Sequence, residues 1–163
     1  MTTPLEVYKA LRSIKEDVFL GRADSAFSEL RKLLENLPQD ISIDWFACNV
    51  IDVAKCPDLL KFYDEFGGKF ALANCSNLYK LASCLATRGY SEDLKKVVSL
   101  VINQGRANKL LDVVNTKSKD AVLAVHKALT ELKEFDLANS ILSEACRAGL
   151  KEVCPQKAQA MYA

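Results

Sequence analysis

The chain has 163 residues, half of them hydrophobic and 26% charged, which suffices for a core of ordinary domain size and excludes a disordered chain. Lys and Arg number 22 against 21 Asp and Glu, a formal net charge of +1, so no overall field draws the protein onto a nucleic acid or an anionic membrane, and any basic site must be local. Met1-Thr2-Thr3-Pro4 begins no leader pattern and no window approaches the roughly 18 apolar residues of a membrane span, so one cytoplasmic domain over residues 1–163 is expected.

Thr3 as cap, Pro4 at the first helical position and Glu6 three residues after the cap announce the first helix as a capping box. Val7, Leu11, Ile14 and Val18 form its apolar stripe, and Gly21 offers the left-handed conformation that ends a helix. Ala23, Ala26, Leu30 and Leu33 carry a second helix, which must stop before Pro38. From Asp40 to Cys56, Trp45, Phe46, Val50, Ile51 and Val53 suit a helix buried on more than one side, and Pro57 starts another that runs to Gly67-Gly68.

Ala71 to Asn77 has no clear pattern. Leu78, Leu81, Ala82 and Leu85 are in helical register up to Gly89; Leu94, Val97, Val98 and Val101 follow from Ser91 to Gly105. Leu110, Leu111, Val113 and Val114 make a shorter helix. The clearest hairpin is the last: Val122, Val125, Leu129 and Leu132, then Phe135, Ala138, Leu142 and Ala145, step by three and four on either side of a turn at Lys133-Glu134. No alternation persists long enough for a strand, which predicts an all-α fold of eight to ten helices in successive antiparallel hairpins. The expected core comprises Leu11, Ile14, Leu30, Trp45, Leu81, Leu85, Val98, Val125, Leu129, Phe135, Leu142 and Ala145.

Gly21 and Gly89, which divide two of the hairpins, are 68 positions apart in the sequence, twice the period of about 34 residues of tetratricopeptide repeats. The turn Glu134-Phe135-Asp136-Leu137-Ala138, with Leu142 and Ala145 after it, resembles the second half of that motif. The resemblance implies an alpha-alpha superhelix of degenerate repeats, with the helix near Leu110 as an insertion; an irregular bundle is the alternative.

Six cysteines are many for a thiol-reducing cytosol, and disulfide-rich intracellular proteins of hyperthermophiles are the recognised exception, so the composition leans towards a thermophile. Inert core thiols are the plain alternative, and a metal site would need more ligands than the single histidine, His126, provides. Cys48 and Cys56, or Cys75 and Cys84, cannot bridge as neighbours along straight helices, because eight or nine residues at about 1.5 Å each separate their backbones by roughly 12 to 13 Å. Parallel helices one repeat apart would instead bring Cys48 to Cys75 and Cys56 to Cys84 at matching heights.

The run Glu144-Ala145-Cys146-Arg147-Ala148-Gly149, with Cys154 beyond, is similar to the stapled turn of cysteine-rich Sel1-like repeats, and that resemblance implies a Cys146–Cys154 bridge to a terminal helix. Trp45-Phe46-Ala47-Cys48-Asn49, Cys75-Ser76-Asn77-Leu78 and Val101-Ile102-Asn103-Gln104-Gly105, together with these two cysteines, resemble a small family of uncharacterised all-helical proteins from Sulfolobus-type archaea. That family implies the superhelical fold and brings no activity or binding residues to carry over.

No catalytic constellation emerges. His126 is alone, Gly67-Gly68 lacks the Lys-Ser or Lys-Thr of a phosphate loop, and a thiol-dependent enzyme would have that one histidine as its base. The expectation is a non-catalytic binding module without cofactor or metal. In tetratricopeptide-like stacks the first helix of each hairpin lines the concave side, which would present Tyr8, Arg12, Lys15, Tyr79, Lys80 and Lys127 to a protein or peptide partner, with an acidic tail as the fitting chemistry. Nucleic-acid binding by a helical-repeat protein is the alternative, against which the neutral charge counts.

Overall fold

The computed structural model describes residues 3–154, and all regular structure among them is helical. The α-helices are α1 (Pro4–Phe19), α2 (Ala23–Glu35), α3 (Asp44–Val53), α4 (Cys56–Phe66), α5 (Leu78–Thr87), α6 (Ser91–Asn103), α7 (Lys119–Glu131) and α8 (Phe135–Arg147). Four 3-10 helices, Gly67–Lys69, Leu72–Asn74, Ala107–Thr116 and Lys151–Val153, complete the regular structure of the described residues. None of the described helices is long and apolar enough to cross a membrane. The chain forms two compact units, one up to Asn77 and one from Leu78.

In the first unit the Thr3 side chain accepts the Glu6 backbone N–H at 3.2 Å, satisfying a donor that the first turn of α1 would leave open. Gly21, at φ 83°, takes the left-handed conformation that lets the chain reverse, and so short a connection makes α1 and α2 antiparallel neighbours. Val7, Leu11, Ile14 and Val18 are all buried, as their spacing requires. On α2 the stripe is Ala23, Ala26, Phe27 and Leu30; Phe27 fills the interface and Leu33 is only half-buried.

Phe27 shows why α2 meets α4. Its ring lies 5.9 Å from both Phe62 and Phe66, Phe62 lies 5.6 Å from Phe70, and Phe70 lies 6.5 Å from Phe46 on α3. Such tilted and edge contacts each add about 0.5 to 1.5 kcal/mol beyond the area they bury. Five phenylalanines therefore knit α2, α3, α4 and the segment after α4 into one core. Outside it, Arg31 on α2 donates from Nε and Nη2 to both carboxylate oxygens of Glu65 on α4. That hydrogen-bonded pairing holds the Glu65 carboxyl below the ordinary carboxylate range. A lowered carboxyl contributes stability above its unfolded value and loses it as pH falls through its folded value. Accordingly, any destabilisation by Glu65→Gln in chemical denaturation at neutral pH should shrink as the pH is lowered through the carboxylate range; a penalty independent of pH would contradict the role given to this pair.

In the second unit α5 with α6 and α7 with α8 form antiparallel hairpins. The 3-10 helix Ala107–Thr116 packs against all four, burying Leu110, Val113 and Val114. At three residues per turn Leu110 and Val113 eclipse each other, giving one narrow apolar edge. The run ends at Lys117 in the left-handed region, and Ser118 caps α7 by accepting the Ala121 backbone N–H at 3.1 Å.

Nine of the expected core residues are buried: Leu11, Ile14, Leu30, Leu81, Leu85, Val98, Val125, Leu129 and Ala145. Trp45, Phe135 and Leu142 are corrections. The buried positions of α3 are Phe46, Ala47, Val50 and Ile51, and Trp45 projects from the opposite side, 41% exposed. On α8 the stripe is Ala138, Ile141 and Ala145, which leaves Leu142 on its flank, half-buried, and Phe135 in the first turn, 55% exposed.

All six cysteines are disulfide-bonded. Cys48 pairs with Cys75 and Cys146 with Cys154, with Cα separations of 5.1 and 4.8 Å. The first pairing was expected between parallel helices, but Cys75 sits after the 3-10 turn Leu72–Asn74, which packs directly on α3. Three further bonds hold that segment to α3: the Ala71 N–H donates to Asp44 at 3.0 Å, and the Asn77 amide donates to the Cys48 carbonyl at 2.9 Å and to Asp52. At the second pairing Gly149, at φ 103°, turns the chain back after α8. Beyond it stands the 3-10 turn Lys151–Val153; the expectation of a terminal helix falls on residues outside the described ones.

Candidate partner-binding face

Helix α1 carries two stripes. Val7, Leu11, Ile14 and Val18 face the core, while Leu5, Tyr8, Arg12, Lys15 and Phe19 recur at steps of three and four about a third of a turn away. Leu5 is 62% exposed and Tyr8 48%. The Tyr8 ring stacks on Trp45 of α3, with centroids 5.8 Å apart and planes at 28°. Beneath, Trp45 meets the buried Phe46 edge-on at 6.2 Å. The exposed pair is thus anchored to the phenylalanine core of its unit, so it presents a large contact area with little side-chain freedom left to lose.

Arg12 and Lys15 follow Tyr8 on the same stripe of α1, about one and two turns further along, and among the described residues neither has an ion-pair or hydrogen-bond partner. Glu16 stands at the edge of the stripe without bridging to Arg12. The face offers the stacked Tyr8 and Trp45 rings, the exposed Phe19 ring at the far end of the stripe, the Leu5 side chain and two cations that no side chain pairs among the described residues. Chemically it suits a partner that brings carboxylates beside an apolar or aromatic group. Tyr8, Arg12 and Lys15 were legible as exposed positions of an amphipathic helix; Leu5 and Trp45 were not, since nothing in the spacing marks Trp45 as the residue of α3 that faces outward.

The other three expected binding residues belong to the second unit. Tyr79 is half-buried, with the Lys109 ammonium 5.8 Å from its ring centre, and Lys80 follows it on α5 as an exposed side chain. Lys127 on α7 lines a cavity of about 260 Å³ together with Gly89, Tyr90, Glu92, Ala124 and Glu131; neither Tyr79 nor Lys80 reaches it. Two glutamates in that lining offset the lysine. His126 is half-buried on α7, and among the described residues no group of three or more His, Cys, Asp or Glu side chains could hold a metal ion.

Residues 6–159 match the family described as a domain of unknown function, DUF1955. No curated protein matches the chain. Among solved structures, a hypothetical protein from the hyperthermophilic archaeon Sulfolobus tokodaii is similar, with 23% identity, a TM-score of 0.66, and coverage of 96% of this chain and 99% of that one. This likeness shows a shared fold, and it fits the Sulfolobus-type resemblance carried by the cysteine and asparagine motifs.

Proposed function

We propose that this chain, which belongs to the DUF1955 family since the match spans nearly all of it, is a non-catalytic binding module that receives an acidic segment of a protein on the α1–α3 face. One observation carries the reading: Trp45 packs edge-on against Phe46 and stacks on Tyr8, whose stripe on α1 also carries two cations without partners among the described residues. Rigid aromatic anchors and arginine are where binding energy concentrates in protein interfaces. A thiol-dependent enzyme would need a free thiol, and every cysteine here is bonded. The hairpins fit a degenerate tetratricopeptide-like repeat, because α1–α2 and α5–α6 each turn on a left-handed glycine and α7–α8 on Lys133 in the same conformation. We place the module in the cytoplasm of a thermophile, where oxidised cysteines are tolerated.

Calorimetric titration with an acidic peptide containing one aromatic residue tests this reading. The Arg12→Glu/Lys15→Glu variant should bind about tenfold or more weakly, while its unfolding free energy stays within about 0.5 kcal/mol of the parent, since exposed charges contribute little to stability. Equal affinity of variant and parent would remove the cations from the site. The same rings and cations could stack a single-stranded base, which is the second reading; tight binding of an oligonucleotide with steep salt dependence would favour it over the peptide.

A further inference from the structure

A further exposed aromatic stands at the turn between α7 and α8. Lys133, in the left-handed region at φ 63°, ends the reversal, and Glu134, Phe135 and Asp136 follow as three exposed residues in a row. The Phe135 ring is more exposed than either Tyr8 or Trp45. Among the described residues neither the Glu134 nor the Asp136 carboxylate has an ion-pair or hydrogen-bond partner. The turn is therefore an apolar knob between two carboxylates that no side chain pairs among the described residues. It has the chemistry that the α1–α3 face lacks: a ring for Tyr8 and Trp45, and carboxylates for Arg12 and Lys15.

We propose that the occupant of the α1–α3 face is the α7–α8 turn of a second copy of this chain, with Phe135 seated against Tyr8 and Trp45 and with Glu134 and Asp136 opposite Arg12 and Lys15. The proposal rests on the reading of that face given above and names its partner. Among the described residues both knob and face are exposed, so each copy can offer the one and receive the other. The contact joins oppositely charged surfaces around an apolar centre, so association should weaken as salt is added.

Sedimentation of the full chain over a wide concentration range tests this, with charge-reversed variants as the decisive arms. The parent should self-associate. Glu134→Lys/Asp136→Lys and Arg12→Glu/Lys15→Glu should each associate about tenfold or more weakly, because each sets like charges against each other. An equimolar mixture of the two variants restores both opposite-charge contacts and should associate again, which a merely structural defect would not allow. Phe135→Ala, which leaves every charge in place, should also weaken association, and helical content read by circular dichroism should be unchanged in all variants. A parent that stays monomeric at every concentration, undiminished association in both charge variants, or no recovery in the mixture would each overturn the proposal. If the parent binds an acidic aromatic peptide at Trp45 yet remains monomeric, the self-contact fails and the binding module stands; if it does neither, both fail.

Discussion

Reduction of the disulfides should lower the unfolding free energy of the chain by more than 4 kcal/mol, on the order of the whole stability of many small domains. The Cys48–Cys75 bridge joins residues 27 apart in sequence, and restricting a loop of that length in the unfolded chain is worth about 3.5 kcal/mol. Cys146–Cys154, at a separation of 8, closes a shorter loop worth about 2.5 kcal/mol. The two lie in different units and share no residues, so their effects should nearly add. Guanidinium unfolding with and without reductant measures the difference. A loss below about 1 kcal/mol would mean that the native packing or the unfolded chain compensates for the bridges. Asn77 offers a finer arm of the same experiment: with Cys48 and Cys75 reduced, its amide bonds to Cys48 and Asp52 remain as polar ties beside that bridge, so Asn77→Ala should cost more in the reduced protein than in the oxidised one.

The second large effect concerns the register of the last hairpin. Leu129 and Ile141 are fully buried on α7 and α8, so truncating either to alanine should cost about 2 to 5 kcal/mol, the sum of lost transfer energy and residual cavity. Leu142, one position further, lies on the flank of α8 and keeps part of its surface in water; its truncation should cost under about 1.5 kcal/mol. Adjacent residues with so different a cost are a direct readout of which side of α8 faces α7. Equal losses at Ile141 and Leu142 would rotate the helix away from the position described.

The same pair of residues shows where sequence reasoning succeeded and where it stopped. Steps of three and four through Val7, Leu11, Ile14 and Val18 admit one stripe, and the cap at Thr3 and the turn at Gly21 bound it, so α1 was legible to within a residue. On α8 two stripes fit the steps equally well, one through Leu142 and one through Ile141; only the packing partners decide between them. Trp45 failed for a related reason. Apolar residues surround α3 on nearly every side, so no pattern distinguishes the ring that packs inward, Phe46, from the ring that does not. The segment after α4 is built from 3-10 turns whose order comes from Cys75, Asn77 and Asp44 bonding at long range, and long-range bonds leave no periodic trace. The pairing of Cys48 with Cys75 was nonetheless anticipated, though through a parallel-helix geometry that the structure replaces with a turn lying on a helix.

The candidate face was half legible for the same physical reasons. Charge and spacing on α1 singled out Arg12 and Lys15, whereas the anchor between them and the core depends on which way α3 rolls. Because Trp45 is the one tryptophan of the chain, its emission reports that anchor alone. The most direct measurement is therefore the Trp45 emission spectrum during titration with an acidic aromatic peptide. Binding on the α1–α3 face should shift the emission to shorter wavelength and change its intensity with the same midpoint that calorimetry gives, and Arg12→Glu/Lys15→Glu should move both midpoints together. Calorimetric binding with an unchanged Trp45 spectrum would place the partner elsewhere on the molecule and contradict the account.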